Sequence, residues 1–153
     1  MKRQVFFSFH YNRDSWRASQ VRNMGKVDGN STFSDNDWEE VRYKSDAKIK
    51  EWIDKQLSMR SCLIVLVGYE TSERKWVKYE IEKAMELHKG IVGIRIDRLK
   101  NSQGYQDAEG CNPFFNIITP SGVNGNQKCS DFGNSECSIF GIKTTVLLAS
   151  AVQ

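Results

Sequence analysis

No apolar run in this chain is long enough to cross a bilayer. The longest, CLIVLV at residues 62–67, has six residues, against the ~20 that a spanning helix needs. No run of Lys and Arg exceeds two residues. The 22 basic and 19 acidic side chains leave a net charge of +3, too little to build a nucleic-acid surface on charge alone. There is no CxxC pair among Cys62, Cys111, Cys129 and Cys137, and His10 and His88 lie far from them in sequence. No zinc frame can be drawn, and no metal is expected. Cys62 heads an apolar run and reads as core; Cys129 and Cys137 could pair, but a chain without an export signal is expected to keep its thiols reduced. The phosphate-cradling GxxxxGK[ST] loop, the GxGxxG turn and the GxSxG elbow are all missing. The opening MKRQVFFSFHY has only five apolar residues after its basic start, too few for an export signal. It reads as a first strand, and the expected address is the cytoplasm.

What is present describes a single domain over residues 1–153 with no repeat and no linker, and 39% hydrophobic residues to build a core. Residues 5–9, VFFSF, are apolar on both faces, as in a central parallel strand. Asp14 or Ser15 is placed to cap a helix running to about Met24. Residues 25–37 are rich in Gly, Asn, Ser and Asp and read as a long loop of the kind that is functional or mobile. Residues 45–59 read as a helix capped by Ser45, with Ile49, Trp52, Ile53, Gln56 and Leu57 at i, i+3, i+4, i+7 and i+8. Then come CLIVLV, a helical pattern over 71–89, and IVGIRI at 91–96. Strand, helix, strand in that order is the pattern of a parallel sheet covered by helices. Residues 99–115 read as loop, and the apolar stretch within 139–152 fits either a strand or a helix.

The helix at 71–89 organises the reading. Val77, Ile81, Ala84, Met85 and His88 mark its buried stripe, Thr71 or Ser72 is placed to cap it, and Gly90 to end it. Trp76 and Glu80 are four apart, on a flank near the helix N-terminus. In open α/β sheets ligands bind at that edge, beyond the carboxyl ends of the strands. Ser8, Phe9 and His10 end the first strand, residues 69–72 follow the second, and Asp97 follows the third, so all are expected to converge there. A carboxylate beside aromatic rings can bind ribose hydroxyls and stabilise an oxocarbenium-like centre, which is what cleavage of an N-glycosidic bond requires. On pattern alone, most charged residues of such a helix belong to a solvated face, and most aromatic residues to the core.

Three segments carry a resemblance: VFFSFHY, IKEWIDKQL followed by CLIVLVGYETSERKWVKYEIEKAMELHKGIVGIRID, and LKNSQGYQDAEGCNPFF. Together they resemble the bacterial TIR-like proteins, in particular the signalling components of Thoeris anti-phage defence systems. The resemblance covers about residues 2–115. GYETSERKWVKYEIEKA is similar to the family's helix, with Trp76 at its Trp, Glu80 at its catalytic Glu, and Val77 where Cys is frequent. The resemblance implies an α/β, flavodoxin-like three-layer sandwich around a mostly parallel sheet of about five strands. It implies NAD⁺ as substrate, with no separate cofactor, cleaved to nicotinamide and a cyclic ADP-ribose-type signal that activates a separate effector protein. Glu80 is then the catalytic carboxylate. Ser8, Phe9, His10, Asp35, Trp38, Arg74 and Trp76 are the expected substrate-binding residues, and assembly into a homo-oligomer is a possibility. The family's closing strand and helix have no counterpart pattern in residues 124–153, an atypical tail. Two other readings stand beside this one: a non-enzymatic TIR-type interaction module, and a nucleotide binder without turnover.

Overall fold

The structure, a computed structural model, describes residues 4–24, 41–114, 137–139 and 142–148. Three short apolar segments form its parallel centre: β1 (Val5–Ser8), β2 (Cys62–Val67) and β3 (Gly90–Arg95). β1 pairs with β2 from Val5↔Cys62 to Ser8↔Val65, and β2 pairs with β3 from Cys62↔Gly90 to Val67↔Arg95. β5 (Ile142–Leu148) runs parallel to β3, and β4 (Cys137–Ile139) antiparallel to β5, for an order β1-β2-β3-β5-β4. Of the two alternatives open for the apolar stretch within 139–152, residues Ile142–Leu148 take the strand.

Alternation along β2 divides the core. Leu63, Val65 and Val67 face α2 (Asp46–Ser58) and α3 (Lys75–Glu86), packing with Ile49, Ile53, Leu57, Val77, Ile81 and Ala84. Leu66, with Ile64 at its margin, faces the other way, onto Phe7 and onto Ala18 of α1 (Tyr11–Met24). Helices therefore cover both faces, and this is why the strands are apolar throughout and not alternating. The expected stripe of α2 is the one that is buried, and Ser45 sits at its N-cap position.

Both ends of α3 differ from the sequence reading. Thr71 does not cap it. Residues Thr71–Glu73 form a separate 3₁₀ turn, and the Thr71 hydroxyl accepts from the Gly68 N–H at 2.8 Å while donating to the Leu66 carbonyl at 3.3 Å. The helix stops at Glu86, not Lys89. His88 adopts the left-handed conformation (φ 52°) usually left to glycine, and Gly90 is already the first residue of β3. His88 is therefore exposed and not part of the buried stripe.

Residues 97–114 contain neither helix nor strand, yet they are pinned to the sheet edge. Leu99 and Phe114 are buried, and the Asp107 N–H donates to the Asp97 carbonyl at 2.9 Å. At Gly110 a Cβ would overlap the Gly68 carbonyl oxygen, so only glycine lets the two backbones approach this closely. Asp14 also departs from expectation. It lies within α1, fully buried, and bonds Arg17 at 3.0 Å in place of capping. Cys111 is disulfide-bonded, where reduced thiols were expected. Among the described residues no helix is long and apolar enough to cross a membrane. Nor, among them, could any cluster of His, Cys, Asp and Glu hold a metal ion.

Candidate functional site

The carboxyl end of β1 and the N-terminal half of α3 meet on either side of a cavity of about 760 Å³, within the range of small-molecule sites. Phe9 and His10 reach it from the end of β1, and Arg74, Trp76 and Glu80 from the start of α3. These five sequence-predicted residues are thus brought to one cavity. Asp35 and Trp38 lie outside the described residues, as does the loop predicted over 25–37.

Glu80 sits one turn into α3, four residues after Trp76, because the helix stripe that buries Val77 and Ile81 carries its flank against β1. It is 6% exposed, and its only hydrogen bond among the described residues is the one its Oε2 accepts from the Ser8 hydroxyl. No cation pairs with it there. Burial in this apolar wall pushes its carboxyl up to about 8, and the Ser8 hydrogen bond opposes that shift without cancelling it. Burial thus favours the protonated form of Glu80.

Ser8 is placed differently from the expectation. At 1% exposure it is not on the cavity wall, and its hydroxyl is engaged by Glu80. Trp76 is half-buried, edge-on to Tyr79 at 6.1 Å, with the Lys75 ammonium 4.6 Å from its ring centre. His10 is buried, with Nε2 3.4 Å from Glu70 Oε2. Burial lowers its pKa, and the nearby Arg74 guanidinium lowers it further, so the imidazole favours its neutral form.

Two groups expected at this edge are elsewhere. Asp97 is buried and accepts from Arg95 Nε at 3.1 Å. Tyr69 is exposed beneath the Arg13 guanidinium, 5.2 Å from its ring centre. Neither lines the cavity, because the turn after β2 and residues 97–114 pack on the neighbouring stretch of sheet edge.

The cavity also holds residues that the sequence reading missed: Tyr11, Asn12, Arg22, Arg42, Tyr43 and Trp52. For Tyr11 and Asn12 the signal was available, since they directly follow a strand that ends at the ligand edge. For Arg42 and Tyr43 the only hint was an adjacent cation and aromatic ring just ahead of the Ser45 cap.

Two comparisons with known proteins bear on this arrangement. Residues 6–101 match the family model described as Thoeris protein ThsB, TIR-like domain. A protein of Bacillus cereus (strain MSX-D12), named ThsB1 and provisionally designated a cyclic ADP-D-ribose synthase, is similar. The two are 37% identical over 119 residues, 74% of this chain and 62% of the relative. The chain thus spans somewhat less than two thirds of that relative's length. The family match runs from β1 to beyond β3 and includes Ser8, Trp76 and Glu80.

Proposed function

Because this chain belongs to the Thoeris ThsB family of TIR-like domains, we propose that it is an NAD⁺-cleaving enzyme. In this reading it breaks the nicotinamide N-glycosidic bond and makes a cyclic ADP-ribose-type signal in anti-phage defence. The name of the Bacillus cereus relative supports the class of product. The architecture proposed with it is flavodoxin-like with five strands, the address cytoplasmic, and the downstream partner an effector that senses the product.

The observation that carries the reading is Glu80: a carboxyl buried in a cavity wall, held by one hydroxyl, with no cation paired with it among the described residues. Structural ion pairs neutralise a buried carboxylate, whereas a site carboxylate is left for the ligand to neutralise. The nicotinamide of NAD⁺ is cationic. Its arrival beside Glu80 favours the ionised form, and the carboxylate then holds the adjoining ribose hydroxyls. As the C1–N bond breaks, its electron pair leaves with neutral nicotinamide and positive charge appears at C1, where Glu80 stabilises it. Water attacking C1, with loss of its proton, gives ADP-ribose; a group of the ADP-ribose itself attacking C1, with loss of its own proton, gives a cyclic product. Phe9 and Trp76 offer faces for stacking, and His10 and Arg74 a polar wall. Asp35 and Trp38 complete the proposed pocket.

The test is nicotinamide release from NAD⁺, followed by chromatography, with protein taken from phage-challenged cells. Glu80→Gln should lower the yield by about 100-fold or more while the variant stays folded. An unchanged yield would remove Glu80 from the chemistry and return the chain to the interaction-module reading.

A further inference from the structure

One wall of the cavity is a stack of alternating rings and guanidinium groups that no comparison assigns. Phe9 and Tyr11 stack at 6.1 Å with their planes 26° apart. The Arg42 guanidinium lies 5.1 Å from the Tyr11 ring centre and 4.6 Å from that of Tyr43. Two tyrosine rings lie against it, and a guanidinium that stacks on rings keeps its in-plane N–H donors for other partners. One of them, Nη1, donates to Asn12 Oδ1 at 3.3 Å. Nε is shielded from water and donates to nothing among the described residues. Nε–H and the neighbouring Nη2–H form one edge of the fork, the edge that matches two oxygens of a phosphate. Among the described residues no acidic side chain pairs with this arginine. A donor left without an acceptor in a buried position is unfavourable, and an arriving anion would relieve it.

The charge around the cavity agrees. Arg22, Arg42, Arg74 and Lys75 line it, against Glu73 and a Glu80 whose carboxyl burial pushes up to about 8. Of these cations Lys75 already pairs with Asp46, and Arg74 is exposed. Arg22 and Arg42 are both half-buried; Arg22 lies 5.8 Å from the Phe9 ring centre, whereas Arg42 lies against two tyrosine rings and its Nε has no acceptor among the described residues.

We infer that Arg42, clamped by Tyr11 and Tyr43, is the diphosphate-binding group of this cavity and selects ligands carrying a diphosphate. This rests on the NAD⁺ reading for the identity of the substrate, but not for the recognition of phosphate. The two are separated by measuring binding without turnover.

The experiment is calorimetric titration of the full chain with ADP-ribose, which carries the diphosphate, and with nicotinamide riboside, which lacks it. Arg42→Gln should weaken ADP-ribose binding about tenfold or more and leave nicotinamide riboside within about twofold. Arg42→Lys keeps the charge without the fork and should fall between; it also serves if Arg42→Gln does not fold. The inference is overturned if Arg42→Gln binds ADP-ribose as the unaltered chain does. It is overturned equally if both ligands weaken together, or if the unaltered chain does not bind ADP-ribose. Loss of ADP-ribose affinity in a protein that releases no nicotinamide would uphold Arg42 while sinking the enzymatic reading. Intact turnover with an indifferent Arg42 would do the reverse.

Discussion

Of the carboxyl groups buried near the carboxyl edge of the sheet, Asp14 and Glu80 are treated in opposite ways. Asp14 is 0% exposed and faces Arg17, itself 1% exposed, at 3.0 Å. Arg17 is satisfied in turn by the Leu99 carbonyl at 2.8 Å, the Tyr105 carbonyl at 3.1 Å and Asp107 at 3.0 Å. Glu80, barely less buried, has among the described residues a serine hydroxyl and nothing more. Burial pushes both carboxyls up, but at Asp14 the Arg17 guanidinium pulls back, and at Glu80 only Ser8 does. Burial alone therefore does not mark a functional acid. What separates the two is whether the fold supplies a counter-charge: the first group ties residues 97–114 to α1, and the second waits at a cavity.

The contrast breaks most sharply at Arg17. Arg17→Met removes the cation from a site shared by Asp14 and Asp107 and leaves an uncompensated buried charge. The expected loss is about 3–5 kcal/mol in urea unfolding at neutral pH. A loss under about 1 kcal/mol would mean that the Asp14 cluster is not held by charge, and the comparison would lose its structural half.

The same experiment at Glu80 should run the other way. The folded chain binds the Glu80 proton more tightly than the unfolded chain, with a pKa of about 8 against an ordinary 4.5. Its contribution to stability is complete below pH 4.5, declines between the two values, and is gone once pH has risen through about 8. The slope is about 1.4 kcal/mol per pH unit inside that window. Gln has no proton to lose. Glu80→Gln should therefore gain on the unaltered chain by about 3 kcal/mol as unfolding is moved from pH 5 to pH 8. A difference that is flat with pH would show that Glu80 ionises normally in the folded state.

The two carboxyls were not equally legible in the sequence. Glu80 stood out because the stripe of α3 fixed its flank and the resemblance supplied its partner Trp76. The central strands were legible for a similar reason, since CLIVLV and VFFSF are apolar on both faces and only a doubly covered strand needs that. Asp14 looked like a helix cap because capping is a local rule, whereas its actual partner is Arg17, which it shares with Asp107, a residue distant in sequence and beyond the reach of any local pattern. Thr71 misled in the same way, its hydroxyl being used to close the turn after β2. The end of α3 was read one turn too long because His88 takes a left-handed conformation that sequence rules reserve for Gly or Asn. Arg42 left no periodic signal at all, since its role arises from two rings brought together by the fold.

The smallest effect sharpens the comparison most, because it touches the one group that Glu80 does have. Ser8 is a positioning residue: it is buried off the cavity wall, and its hydroxyl donates to Glu80. That hydrogen bond favours the ionised carboxylate, so Ser8→Ala should raise the Glu80 pKa beyond its present value of about 8. If the ionised form does the work, the rise of kcat/KM with pH should move in the alkaline direction. The expected displacement is about half to one pH unit, equivalent to about 1 kcal/mol for one hydrogen bond. Well above the displaced pKa the variant should recover most of its rate, since only ionisation has become harder. A loss that is uniform across pH would instead make Ser8 a packing residue. Glu80 would then be oriented by α3 alone, with the serine no more than a neighbour.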